Sequence, residues 1–271
     1  MAKTSTRRAE QKRICNLVPT PEESTGTDWR FGDALAAGML SARAAVPATC
    51  DLRKPWWGVG DQGTTGSCVG WATAEGVARY MFTTAGRLPQ KTQLSARFVW
   101  MACKETDQFT TRPETMIEEA GTTLKAAVEV LRKYGVVPEE LLPFKISTAM
   151  YGGSENTFFA TAATRKIAAY INLRRNLDEW RAWVAAHGPI LVGLNVDEEW
   201  DNATDTGGKL DTFRPNTVRG GHAVAVVGYT SDNRFILRNS WGTGWGDDGF
   251  AYASEAYINA SFYNESYCVT L

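Results

Sequence analysis

The sequence changes its periodicity at Gly188-Pro189, and no other feature restricts the fold as strongly. Upstream, apolar residues recur at helical spacing. Residues 68–84 are apolar on nearly every side (Val69, Trp71, Ala72, Val77, Ala78, Tyr80, Met81), which predicts a helix buried within the domain. Residues 95–105 predict a second helix. Leu124, Ala127, Val128 and Leu131 share one face of a third, over 123–134, with Gly135 as its stop. Asn176, with Glu179 three residues on, has the form of a capping box and opens a helix through Leu177, Trp180 and Val184 that ends at Gly188-Pro189. Downstream the code turns to short β-branched or aromatic runs at 190–196, 222–229, 235–239, 250–253 and 267–271, separated by Gly, Asn and Asp turns. Helices first and strands second is the pattern of an α+β fold with two lobes and a cleft between them.

A chain of 271 residues suits one medium-sized domain or two small ones. Lys and Arg less Asp and Glu is 29 − 30 = −1, so no overall field draws the chain to nucleic acid or an anionic membrane, and neither is expected as a partner. No apolar run approaches the roughly 18–20 residues of a membrane span. Residues 1–45 have a different character: five basic residues against one acidic in 1–13, then Pro19, Pro21, a Ser/Thr-rich stretch at 24–27 and an Ala-rich piece. They read as an arm or short pro-segment with one helix near 31–43, and residues 46–271 as the folded domain. A monomer is expected. No apolar stretch of secretory-signal type follows the basic run, which makes the cytoplasm the expected compartment, with signal-independent export or a trimmed chain as the alternatives.

Five cysteines (Cys15, Cys50, Cys68, Cys103, Cys268) and two histidines (His187, His222) bound the chemistry. There is no C-x-x-C and no histidine near enough to complete a zinc pattern, so neither a metal nor a cofactor is expected. An odd cysteine count does not suit a disulfide framework, and at least one thiol must be free. The last four residues formally match a prenylation box, yet alternation around Tyr267 and Val269 places Cys268 in a closing strand. His187 stands at a predicted helix end, where capping of the last carbonyls accounts for it.

Cys68 and His222 are the candidates for catalysis. Cys68 follows a glycine-rich stretch (four glycines in 58–67) and opens the buried helix, where the first-turn N–H groups and the helix dipole favour a thiolate. His222 stands at the head of the apolar strand 222–229, after Gly220-Gly221. Asn239 ends the next strand, and two adjacent antiparallel strands would bring its amide to the imidazole. Such an amide fixes the ring's tautomer and leaves the other nitrogen for a nucleophile.

Gln62-x5-Cys68, Gly66-Ser67-Cys68, His222-Ala223-Val224 and the run Asn239-Ser240-Trp241-Gly242-Thr243-Gly244-Trp245-Gly246 resemble the papain family of cysteine peptidases from about Val46 to the C-terminus. Val46-Pro47-x-x-x-Asp51-Leu52-Arg53 resembles the start of the family's mature enzymes. The resemblance implies a papain-like two-lobe fold, with a helical N-terminal lobe, an antiparallel β-barrel-like C-terminal lobe and the active site in the cleft. It implies hydrolysis of peptide bonds through an acyl-enzyme thioester, with a peptide or protein as substrate. Cys68 would be the nucleophile, paired with His222 as an ion pair. Asn239 would orient His222 and Trp241 would shield that bond. The Gln62 side chain and the Cys68 N–H would form the oxyanion hole. Gly121 would pair with extended substrate, and Gly193 and Gly221 would line the pocket for the residue second from the scissile bond.

The sequence departs from the family's pattern at several points. Thr65 stands where the family signature C-G-[SA]-C-[WY] has its first cysteine, so that disulfide is absent. Val69 replaces the aromatic after the nucleophile, Thr122 replaces a second glycine, and 197–219 is the expected site of lengthening. An N-terminal arm lying in the cleft would make the enzyme latent. Two alternatives stay open: acyl transfer or amide hydrolysis by the same triad, and a catalytically silent binding module on this scaffold.

Overall fold

The computed structural model describes residues 13–40, 45–106, 120–144 and 155–271. The basic run at 1–12 and the end of the predicted helix at 41–43 lie outside them. In the arm, α1 spans Glu22–Thr25 and α2 spans Phe31–Ala36. The second is shorter than expected, because Gly38 takes φ +71° and turns the chain.

The helical half contains α3 (Cys68–Thr73), α4 (Arg79–Thr84), α5 (Ala96–Thr106), α6 (Leu124–Lys133) and α7 (Glu155–Ala163). A π-helical turn, Ala74–Ala78, joins α3 to α4, so the predicted 68–84 helix is one rod with a bulge. The bulge meets Trp57, whose Nε1 donates to the Glu75 carbonyl at 2.5 Å. Thr123 caps α6 by accepting from Ala126 N (3.0 Å), and Gly135 (φ +86°) ends it where a methyl group would lie 2.0 Å from the Ala162 carbonyl. Helix α8 (Leu177–Ala186) is capped by Asn176, as its sequence predicts.

The strands are β1 (Cys50–Asp51), β2 (Ala169–Asn172), β3 (Ile190–Val196), β4 (Lys209–Leu210), β5 (Gly220–Tyr229), β6 (Arg234–Arg238), β7 (Phe250–Ser254) and β8 (Phe262–Thr270). They pair in the order β2-β8-β3-β5-β6-β7-β4, with β1 beside the end of β5. Only the β4–β7 pair is parallel. Strand alternation divides the interior in two. Ala223, Ala225 and Val227 of β5 face the core shared with α3, α5 and α6, while Val224 and Val226 face a second core with Trp180 and Trp183 of α8.

The sequence hides β2, helix α9 (Glu255–Ser261) and the first half of β8. Strand β8 begins five residues before the predicted 267, because Glu265 and Ser266 are buried there and paired by groups distant in sequence. All five cysteines are free thiols, and Cys268 is fully buried in β8 with Sγ 3.5 Å from the Ile171 carbonyl.

Candidate active site

The pairing of β5 with β6 sets the centre of the site. Ala225 pairs with Arg238, so Asn239 comes to stand beside Val224, two residues from His222 on the same face. Such diagonal neighbours lie within side-chain reach. His222 Nε2 donates to Asn239 Oδ1 at 2.7 Å, and the Ser240 N–H donates to the same oxygen at 2.8 Å, which fixes the amide's orientation. The imidazole is therefore the Nε2–H tautomer. Its Nδ1 has no hydrogen-bond partner among the described residues.

Cys68, the first residue of α3, is fully buried. Burial pushes its thiol up to about 11, against hydrogen bonds from the backbone of Ala223, Val69 and Cys68 itself that favour the thiolate. Burial likewise pushes His222 down to about 4; the bond to Asn239 opposes this, and the charges of Arg219 and Arg13 add to it. Both shifts favour a neutral thiol and a neutral imidazole. Both directions run against the ion pair that the family resemblance implies.

Gln62 is buried and fixed at both ends of its amide. Its Oε1 accepts from Ser240 Oγ (2.8 Å), and Nε2 donates to the Thr65 carbonyl (2.8 Å) and to the Ile14 carbonyl (3.3 Å). Thr65 donates to the Gln62 carbonyl (2.7 Å) and shares a hydrogen bond with Ser67 Oγ (2.6 Å). Hydroxyl hydrogen bonds thus hold the turn where the family signature has a cysteine.

A cluster of indoles packs beside the imidazole. Trp241 lies 4.9 Å from it at 42°, and Trp200 meets it nearly at right angles at 5.5 Å. Trp245 stacks on Trp200 at 5.4 Å. Trp200 belongs to the 197–219 stretch expected as a lengthened loop, which instead folds onto the site as the 3-10 turn Glu198–Trp200, β4 and a second turn, Pro215–Thr217.

The arm runs alongside, in contact with Gln62 and Trp241. Arg13 forms an ion pair with Asp61 (2.5 Å) and donates to the carbonyls of Gly63 and Trp241 (both 3.1 Å). The Leu17 N–H donates to the Gly221 carbonyl (2.9 Å) and the Val18 N–H to the Thr122 carbonyl (3.1 Å). The Asn16 carbonyl crosses so close to Gly121 that a methyl group there would lie 1.8 Å from it. The Leu17 side chain, 3% exposed, lies over Gly193, where an added methyl would come within 2.6 Å of Leu17 Cδ2. Leu124 and Tyr263 border the same pocket, and the Tyr263 ring closes over Gly221. The structure therefore brings Gly121, Gly193, Gly221 and Trp241 together with Cys68, His222, Asn239 and Gln62 along one cleft.

Sequence reading did not single out Arg13, Leu17, Trp200, Ser240 or Tyr263. Trp200 and Tyr263 carry no local signal, because their neighbours come from elements far along the chain. His187 lies away from this centre, as the C-cap of α8. Its backbone N–H donates to the Trp183 carbonyl (2.8 Å), and its ring packs on Trp183 at 4.5 Å rather than on the last carbonyls. Burial lowers its pKa, which weakens the expected charge–dipole role.

A family model described as papain family cysteine protease matches residues 46–270. Cathepsin J of Mus musculus is 30% identical over 212 residues, covering 74% of this chain and 58% of the relative. A cathepsin B-like protein of Giardia intestinalis, CP2, is 26% identical over 253 residues, covering 86% and 77%. The chain thus spans little more than half of the mouse relative's length. Among solved structures, xylellain, a cysteine protease from Xylella fastidiosa, matches with a TM-score of 0.77 at 22% identity over 97% of this chain and 98% of that one. Procathepsin L 3 of the Tenebrio molitor larval midgut matches with a TM-score of 0.65 at 22% identity, over 86% and 72%. These structures share the papain-like two-lobe fold.

Proposed function

The chain belongs to the papain family of cysteine proteases, and on that footing we propose that it hydrolyses peptide bonds and is held latent by its own N-terminal arm. The observation that carries the reading is the His222–Asn239 hydrogen bond, which leaves Nδ1 unpartnered while the Cys68 thiol takes a bond from the adjacent Ala223 N–H. In the reaction, His222 Nδ1 takes the Cys68 proton and the thiolate attacks the substrate carbonyl. His222 then protonates the leaving amine, and water resolves the thioester through the same base. Asn239 holds the ring throughout. Gln62 Nε2 and the Cys68 N–H receive the developing oxyanion, and the Gln62 bond to the Ile14 carbonyl supports this placement. The pocket under Tyr263, filled here by Leu17, suits a leucine-sized side chain.

An epoxide-type thiol reagent with a leucine side chain tests the reading. It is expected to label the arm-released protein once, at Cys68, and not to label Cys68→Ala. No labelling of the folded, arm-released chain would favour a silent scaffold. Product analysis with an added amine separates hydrolysis from acyl transfer.

Docking of the arm is expected to depend on pH through Glu265. This carboxyl, 1% exposed, accepts from Thr20 Oγ1 of the arm at 2.6 Å. Burial raises it to about 7; the neighbouring Asp28 adds to the rise, and the side-chain and backbone hydrogen bonds of Thr20 oppose it. Asp28 of the arm is paired with Lys125 and accepts from Tyr267 Oη (2.9 Å) and Asn172 Nδ2 (3.1 Å), and the Tyr263 hydroxyl donates to the Leu17 carbonyl. With the arm released, Glu265 returns toward its ordinary value of 4.5, so docking takes up a proton. The contribution of Glu265 to docking is therefore complete below about 4.5 and lost as pH rises through about 7. Amide exchange at Leu17 and Val18, corrected for intrinsic rate, should show more protection at pH 5 than at pH 8. Glu265→Gln should flatten the difference, and an unchanged slope would contradict the assignment.

A further inference from the structure

We infer that Tyr257 and Asp197 are positioning residues for His222, acting through the indole of Trp200. The inference rests on the reading of His222 as the base. Trp200 is fully buried and packs against both the imidazole and the Trp241 indole that lies beside it. Its carbonyl accepts from Trp245 Nε1 (2.8 Å), and its own Nε1 donates to Tyr257 Oη (2.8 Å). Tyr257, from α9, in turn donates to Asp197 Oδ1 (2.5 Å). The other carboxylate oxygen, Oδ2, accepts from the Arg214 N–H (2.6 Å).

The direction of this relay is forced. An indole nitrogen can only donate, so the Tyr257 oxygen must accept there and must send its own proton to Asp197. Burial and the Asp197 hydrogen bond both raise the Tyr257 pKa, which keeps the hydroxyl protonated for that task. Two segments remote from Trp200 thus hold its indole: helix α9 through Tyr257, and the loop after β6 through the stacked Trp245 ring. With the hydroxyl removed, the buried indole N–H loses its partner, and the ring can regain one only by turning. A turned Trp200 withdraws from the imidazole and admits water to the His222–Asn239 bond.

The chain's two histidines make the test direct, since a His187→Gln control assigns both imidazole signals. In the full-length protein, Tyr257→Phe is expected to speed solvent exchange of the His222 Nε2 proton about tenfold, while His187 is unchanged. On a peptide substrate, in arm-released protein, the same substitution should lower kcat about tenfold, with KM within about twofold. Trp200→Phe keeps a ring against His222 but has no N–H to satisfy. In that background Tyr257→Phe should add less than about twofold, because the relay is already cut. Unaltered His222 exchange in Tyr257→Phe, or effects of the two substitutions that multiply, would overturn the inference. Should Tyr257→Phe not fold, Asp197→Asn places an amide N–H₂ against the Arg214 donor and is read by the same two measurements. If no variant, nor the parent chain, turns over peptide, the proposed reaction fails, and the imidazole spectrum still decides the relay.

Discussion

Replacing His222 by alanine is expected to lower the turnover of a peptide substrate by on the order of 10⁴–10⁶, with Cys68→Ala equally severe. The expectation follows from how few groups can do the work. The cleft holds one imidazole, and its Nδ1 is the atom that Asn239 leaves free. Without it, the thiol must ionise alone, where burial already holds it near 11. The two substitutions act on one unit, so the double variant should be no worse than either single one. Gln62→Ala should cost less, about 10²–10³, because it removes one of two oxyanion donors and leaves the attack intact. Steady-state kinetics on arm-released protein, with folding verified by thermal unfolding, checks all three. Residual activity above about one per cent of the parent in His222→Ala would place the base elsewhere.

Release of the arm is expected to have the next largest effect, a rise in rate on a short peptide of about 10–100-fold in Leu17→Asp. A leucine buried to 3% contributes roughly 1.5–3 kcal/mol to docking, and a carboxylate cannot enter an apolar pocket formed by Gly193, Leu124 and Tyr263. Leu17 also anchors the register of the arm, in which its own N–H bonds Gly221, Val18 bonds Thr122 and Ile14 bonds Gln62. Deletion through residue 45 should raise the rate at least as far, provided the shortened chain folds. Water readmitted to the cleft would also lower the Cys68 pKa and raise that of His222, toward the ion pair the closed form disfavours. Competition assays with a peptide copying residues 13–20 give the same quantity in trans. Equal rates for the parent and Leu17→Asp would show that the arm does not limit access.

The rod 68–84, the capped helices α6 and α8 and strands β3 and β5 were legible because their signals are local: apolar spacing, a capping side chain, a turn glycine. The four catalytic candidates were legible for the same reason, since each sits in a contiguous run that resembles a family pattern. Strand β8 was half hidden because its first residues are polar, and Glu265 is buried there with Thr20 of the arm as its hydrogen-bond donor. Tyr263 and Trp200 were invisible. Neither stands in a run of its own, and each acquires its neighbours from across the fold.

The sequence by itself determined which atoms are available for chemistry: one cysteine at a helix start, one histidine at a strand head, one asparagine at the end of the next strand. Tertiary structure alone decided their state. Burial pushes the thiol up and the imidazole down, because removing water penalises a charge more than the nearby hydrogen bonds favour it. It also decided that Leu17 fills the pocket of two glycines and that Trp200 stands beside the imidazole. The first depends on residues more than a hundred positions apart and the second on residues of separate elements, Trp200 and His222, so no local pattern reaches either.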